Sequence, residues 1–288
     1  MSENTVLMLN AAITYGRVDE VKQLLVAEPG LAKHRNENDR CYPLDKAVDS
    51  GKLNLVKILL AAGADIDRAG YNTETPLLRA AQNACEIMDG EHAKIVKTLI
   101  AGGADVHARD GKSFTALMLA VDGRTRANLE IVKALIAAGA DVNAAGKVST
   151  VLMLASMGGS PQMVKALIAA GANVNATMHL GTPLILAAME NQGDNVAVLL
   201  ESGAAASHRL PKDFENGNLA GKTALDVALE AAAIDVIPLL EAATGRAPTW
   251  PRPTIMEDDV GWGETWDTDE DQLDLIMAYR KSSATLSS

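Results

Sequence analysis

The chain has 288 residues, 48% of them apolar and only 3% aromatic, and carries a formal net charge of -11. That charge speaks against nonspecific binding to nucleic acid or to an anionic membrane, both of which need a positive surface, and no Lys/Arg cluster offsets it. No apolar run approaches the ~18 residues of a membrane span, and the opening MSENTVLMLN lacks a basic region and a cleavage site, so a cytoplasmic protein is expected.

Along the chain, an apolar triplet at i, i+3, i+4 recurs seven times: Val21/Leu24/Leu25, Val56/Leu59/Leu60, Val96/Leu99/Ile100, Val132/Leu135/Ile136, Val164/Leu167/Ile168, Val196/Leu199/Leu200 and Val236/Leu239/Leu240. This spacing predicts one buried face of a helix, and the glycines that follow at 63, 103, 139, 171 and 203 predict a left-handed stop. Gly30 falls 33 residues before the first of them, and the later steps are 40, 36, 32 and 32. The stretch VKALIAAGA is written twice, at 132–140 and 164–172. Ahead of the triplets from the second to the seventh stands another signature: YPLDKAV from Tyr42, TPLLRAA from Thr75, TALMLAV from Thr115, TVLMLAS from Thr150, TPLILAA from Thr182 and TALDVAL from Thr223. Thr suits an N-cap, Pro suits the first helical position, and the alanines at 47, 80, 120, 155, 187 and 228 predict closely packed helices.

These residues resemble the ankyrin repeat, with its TPLHxAA helix, short turn, V-x-x-L-L helix and G-A-D-V-N-A lead into a hairpin finger. GADVNA from Gly139 matches in full, and GANVNA from Gly171 and GADVHA from Gly103 nearly so. The resemblance covers about residues 5 to 245 and implies an all-α solenoid of roughly seven helix-turn-helix units with hairpin fingers. It further implies a domain at 1–245 with atypical terminal repeats, followed by a separate tail at 246–288. The TPLH histidine is absent throughout, replaced by Asp45, Leu78, Met118, Met153, Ile185 and Asp226. In the family that position packs between repeats, so the replacements bear on packing. Pro238 is expected in the first turn of the last helix, where a missing N–H costs little.

Because repeated positions build the rod, information about function should lie where the repeats deviate. Extra residues fall within 84–91 and 122–128, between the two helices of the third and fourth repeats, and a longer insertion, SHRLPKDFENGNLAGK, occupies the finger at 207–222. The expected groove and finger residues are Arg40, Asp49, Tyr71, Arg79, Gln82, Asn83, Asp110, Phe114, Met157, Met178, His179, Met189 and Phe214, polar toward one end and Met-lined toward the other. Neither the two cysteines, Cys41 and Cys85, nor the histidines fall in a metal-site spacing, and His92 is read as a surface residue. No cofactor is expected.

After Gly245 the composition changes. All three tryptophans, Trp250, Trp262 and Trp266, lie in this tail with nine carboxylates, and acidic first-turn and basic last-turn residues predict a short amphipathic helix at 269–281. The tail could cap the last repeat, lie along the groove, or engage another protein.

The leading expectation is a noncatalytic, otherwise monomeric scaffold that binds a protein partner through the groove and fingers of repeats 2 to 6. One alternative is an inhibitor or immunity-type partner of a single enzyme. Another is an unusual enzyme with the tail over its groove, although no G-x-S-x-G, P-loop or HExxH pattern is present.

Overall fold

A computed structural model describes residues 3–36, 41–70, 73–86, 90–121, 128–214 and 216–246. Fourteen α-helices form among them, in seven pairs. The first helices are α1 (Glu3–Thr14), α3 (Pro43–Asp49), α5 (Pro76–Glu86), α7 (Ala116–Val121), α9 (Val151–Gly158), α11 (Pro183–Met189) and α13 (Ala224–Glu230). The second helices are α2 (Val18–Ala27), α4 (Leu53–Ala61), α6 (Glu91–Ala101), α8 (Leu129–Ala137), α10 (Pro161–Ala169), α12 (Gly193–Glu201) and α14 (Ile237–Thr244). Each pair packs internally, each first helix packs on the next first helix, and each second helix on the next second helix. The result is a two-layer stack, with no described helix long and apolar enough to cross a membrane.

The repeated signatures act at helix ends. The hydroxyls of Thr75, Thr115, Thr150, Thr182 and Thr223 each accept the backbone N–H three residues on, at 3.2 to 3.4 Å, satisfying one of the donors a helix start leaves open. Tyr42 has no such side chain, and there the Asp45 carboxylate reaches back to accept the Tyr42 N–H at 3.1 Å. Pro238 stands at the start of α14, as expected.

At the other ends, the glycines at 63, 103, 139, 171 and 203 have φ between 83 and 95°, the left-handed region expected of them. Gly30 departs from this pattern. It has φ -77° and opens a short 3₁₀ turn, Leu31–Lys33, so the first repeat closes by a different route. The core is a continuous apolar seam, and the alanines at 47, 80, 120, 155, 187 and 228 are all fully buried. With only a methyl group at those points, successive helices can approach closely.

The insertion of the third repeat lengthens both its helices to 11 residues, α5 running to Glu86 and α6 starting at Glu91. One consequence corrects the sequence reading: His92 lies in the first turn of α6 and is buried.

Candidate functional site

The expected groove face divides into an ionic half and an apolar half. In the ionic half, Asp45 and Asp49 stand one helical turn apart on α3, opposite Arg79 and Asn83, one turn apart on α5. Arg79 Nη1 reaches the two oxygens of Asp49 at 3.2 and 3.1 Å, and its Nη2 lies 3.4 Å from Glu74 Oε2. Asn83 Nδ2 donates to Asp49 at 3.3 Å. A single guanidinium therefore joins carboxylates of two repeats.

Asp45 is fully buried, at 0% exposure. One of its oxygens accepts the Tyr42 N–H, and the other has no hydrogen-bond partner. A Cβ at Gly70 would come within 2.4 Å of Asp45 Oδ2, so glycine is what lets the finger close over the carboxylate. Burial pushes the carboxyl up to about 6, the Tyr42 N–H and Arg79 oppose the rise, and Asp49 and Glu74 add to it. Burial likewise raises Glu74 against the pull of Arg79, while Asp49, Asp45 and Glu74 outweigh burial at Arg79 and hold its guanidinium above the usual range. A carboxyl near neutrality can mark an acid or base, but this one is sealed between repeats, where substrate has no approach. Chemically the cluster is a polar joint.

The apolar half begins one repeat later. At the position held by Lys46 and Arg79, the next repeats carry Leu119, Leu154 and Leu186, and one turn on stand Met157, half-buried, and Met189, 37% exposed. The fingers extend this surface with half-buried Phe114 and with Val148, 39% exposed, whose carbonyl accepts the Leu180 N–H at 3.3 Å. Met178, His179, Pro211, Asp213 and Phe214 line a shallow pocket at the long finger. That finger has its own small core, with Leu210 and Leu219 buried and the Leu210 N–H bonded to the Lys222 carbonyl at 3.0 Å. Arg209 staples it by bonding the Gly221 carbonyl and pairing with Asp226 at 3.1 Å. Phe214 is thereby held half-buried.

The fingers are tied to one another by side chains. Asn143 donates to the Gly171 carbonyl at 3.0 Å and accepts the Asn173 N–H at 2.8 Å, and Asn175 makes the equivalent bonds to Gly203 and Ala205 at 3.2 and 2.9 Å. Asp67 can only accept, and takes the Asp105 N–H at 2.9 Å. His107 holds the same position after the third repeat, where a different tie connects the fingers: Arg109 Nη1 donates to the Ala145 carbonyl at 2.7 Å.

Of the residues expected at the site, the structure brings Asp49, Arg79 and Asn83 into the joint and leaves Gln82 half-buried on the same helix. It sets Phe114, Met157 and Met189 on the apolar half and Met178, His179 and Phe214 around the pocket. Asp110 accepts the Lys112 and Phe114 N–H groups at 2.9 and 2.7 Å, shaping its own finger turn. Arg40, Tyr71, Trp250, Trp262, Trp266 and the helix expected at 269–281 lie outside the described residues.

Sequence reasoning did not single out Glu74, nor Asn195, which is buried and donates to the Ser156 and Gly159 carbonyls at 3.3 and 3.0 Å. It also overlooked Asn10, buried at the equivalent of the Asp45 position. Alignment of the first repeat on the second would have exposed Asn10, but the partners of Glu74 and Asn195 follow no local pattern. Among the described residues no group of three or more His, Cys, Asp or Glu side chains could hold a metal ion.

A family model described as ankyrin repeats, in 3 copies, matches residues 7–110, 67–146, 117–210 and 152–245. No curated protein matches the chain.

Proposed function

Since the chain belongs to the ankyrin-repeat family, whose repeats are protein–protein interaction modules, we propose that it is a noncatalytic scaffold that binds a protein partner along repeats 2 to 6. The observation that carries this reading is the apolar half of the groove face. Met189 and Val148 remain 37% and 39% exposed there, in the middle of the stack, whereas the other exposed large apolar side chains among the described residues, Leu7, Met8, Tyr15, Val26 and Ile234, lie on the first and last repeats. Thioethers adapt to irregular apolar partners, so a Met-lined surface suits an inserted side chain better than a rigid small molecule. The ionic joint beside it holds Arg79 and Asp49 in fixed places, giving the surface one rigid polar end.

The test is retention of a protein partner by the purified full chain. Met157→Glu with Met189→Glu should abolish retention without changing the circular dichroism spectrum, whereas Lys133→Glu, an exposed change on α8, should leave it intact. Equal retention by all three proteins would refute the groove assignment.

A further inference from the structure

The finger edge beside the apolar half carries exposed lysines. Lys112, Lys147 and Lys212 are exposed on three fingers, in a chain of net charge -11. Of the acids nearby, Asp105, Asp110 and Asp141 each accept backbone N–H groups of their own turns, Asp213 lies beside the pocket, and Glu74 lies within electrostatic reach of Lys112. Between these lysines stand Val148, Met178 and Phe214. A surface that alternates cations with apolar side chains fits a segment that alternates carboxylates with large apolar ones.

The chain itself contains such a segment. Residues 257–274 hold all nine carboxylates of the tail, no Lys or Arg, and Trp262 and Trp266. The described chain ends at Arg246, directly after α14 of the seventh repeat. From there to Trp262 is 16 residues, a reach of up to ~50 Å at about 3.3 Å per residue. The fingers that follow the fourth to sixth repeats lie about 10 to 30 Å back along the stack, at about 10 Å per helix layer. Length therefore permits the contact, and charge favours it.

We propose that residues 257–274 dock on the cationic and apolar finger edge formed around Lys147, Met178, Lys212 and Phe214, as an internal ligand beside the groove. The inference rests on the groove reading insofar as a docked tail would stand in the way of a partner. The tail's own net charge would make docking weaken as salt rises, because the cations it meets are solvent-exposed.

The three tryptophans are the only ones in the chain and all lie in the tail, two of them within 257–274, so with Trp250→Phe as the background in every protein below the tryptophan emission reports on this segment alone. In low salt the emission of the background protein should be blue-shifted and protected from acrylamide quenching relative to the same protein in urea. Lys147→Glu with Lys212→Glu, and separately Met178→Glu with Phe214→Ser, should shift the emission to the red and remove the protection, with circular dichroism unchanged. Lys133→Glu should change nothing. The proposal is overturned if the tryptophans of the background protein quench as freely as in urea, which would mean a solvated tail. It is equally overturned if they are protected but indifferent to both finger variants, which would place the tail on the last repeat. Neither result touches the groove reading, which stands or falls on partner retention by the Met157 and Met189 variant.

Discussion

Replacing Asp45 by Asn isolates what a buried charge does to this stack. The folded carboxyl is pushed up to about 6 from its ordinary 3.8, so between those values the folded protein holds a proton that the unfolded chain has released. The stability this group contributes is therefore complete below pH 3.8 and is lost as pH rises through about 6. Over the whole window the loss is about 3 kcal/mol, from a separation of roughly two pH units at about 1.4 kcal/mol each. Between about pH 5 and pH 8, where the unfolded carboxyl is ionised throughout, the wild type should lose about 1.4 kcal/mol through this residue and the Asn variant none. Asn can still accept the Tyr42 N–H, and it fits where Asp fits. The measurement is urea unfolding of both proteins by circular dichroism at the two pH values. The informative quantity is the change with pH in the stability difference between them, because the other carboxylates are common to both. A difference that rises by about 1.4 kcal/mol in favour of Asn supports the reasoning. A difference that stays constant, or falls, would show that Asp45 keeps its charge comfortably and that burial does not govern it. Asp45→Leu, the side-chain type that Leu78 supplies in the next repeat, should show the same trend.

Three further outcomes follow from the stacking. Asn143→Ala removes a donor and an acceptor between fingers and should cost about 1–2 kcal/mol, read as a lower urea midpoint, whereas His107→Asn would restore the missing pair and raise the midpoint by about 0.5–1 kcal/mol. Ala155→Leu forces three extra carbons into a fully buried site between helices and should destabilise by about 1–3 kcal/mol, while Ala138→Leu, on the exposed end of α8, should have little effect in the same assay. Gly171→Ala would strain a backbone held at φ 95° and lower the melting temperature, with a cost of about 1 kcal/mol or more, although nothing lies within 4 Å of the added carbon.

The sequence by itself determined the repeat, its helices and most of their ends. The i, i+3, i+4 triplets, threonine caps and glycine stops act within one turn of the chain, so each is legible wherever it is written. VKALIAAGA appears twice because α8 and α10 sit in equivalent surroundings, each packed between like neighbours. The stack decided what depends on residues about 30 or more positions apart. That Asp49 holds the Arg79 guanidinium becomes legible only once α5 settles on α3. His92 reads as solvated until the longer α5 and α6 carry it inside. Gly30 lies 33 residues before Gly63 but nine after Val21, where the other glycines follow their triplet valine by seven, so α2 has already ended at Ala27 and Gly30 opens a 3₁₀ turn instead. Local signals fix helices because their partners lie on the same turn. Charge environment and burial come from the neighbouring repeat, and only packing reveals which side chains that neighbour presents.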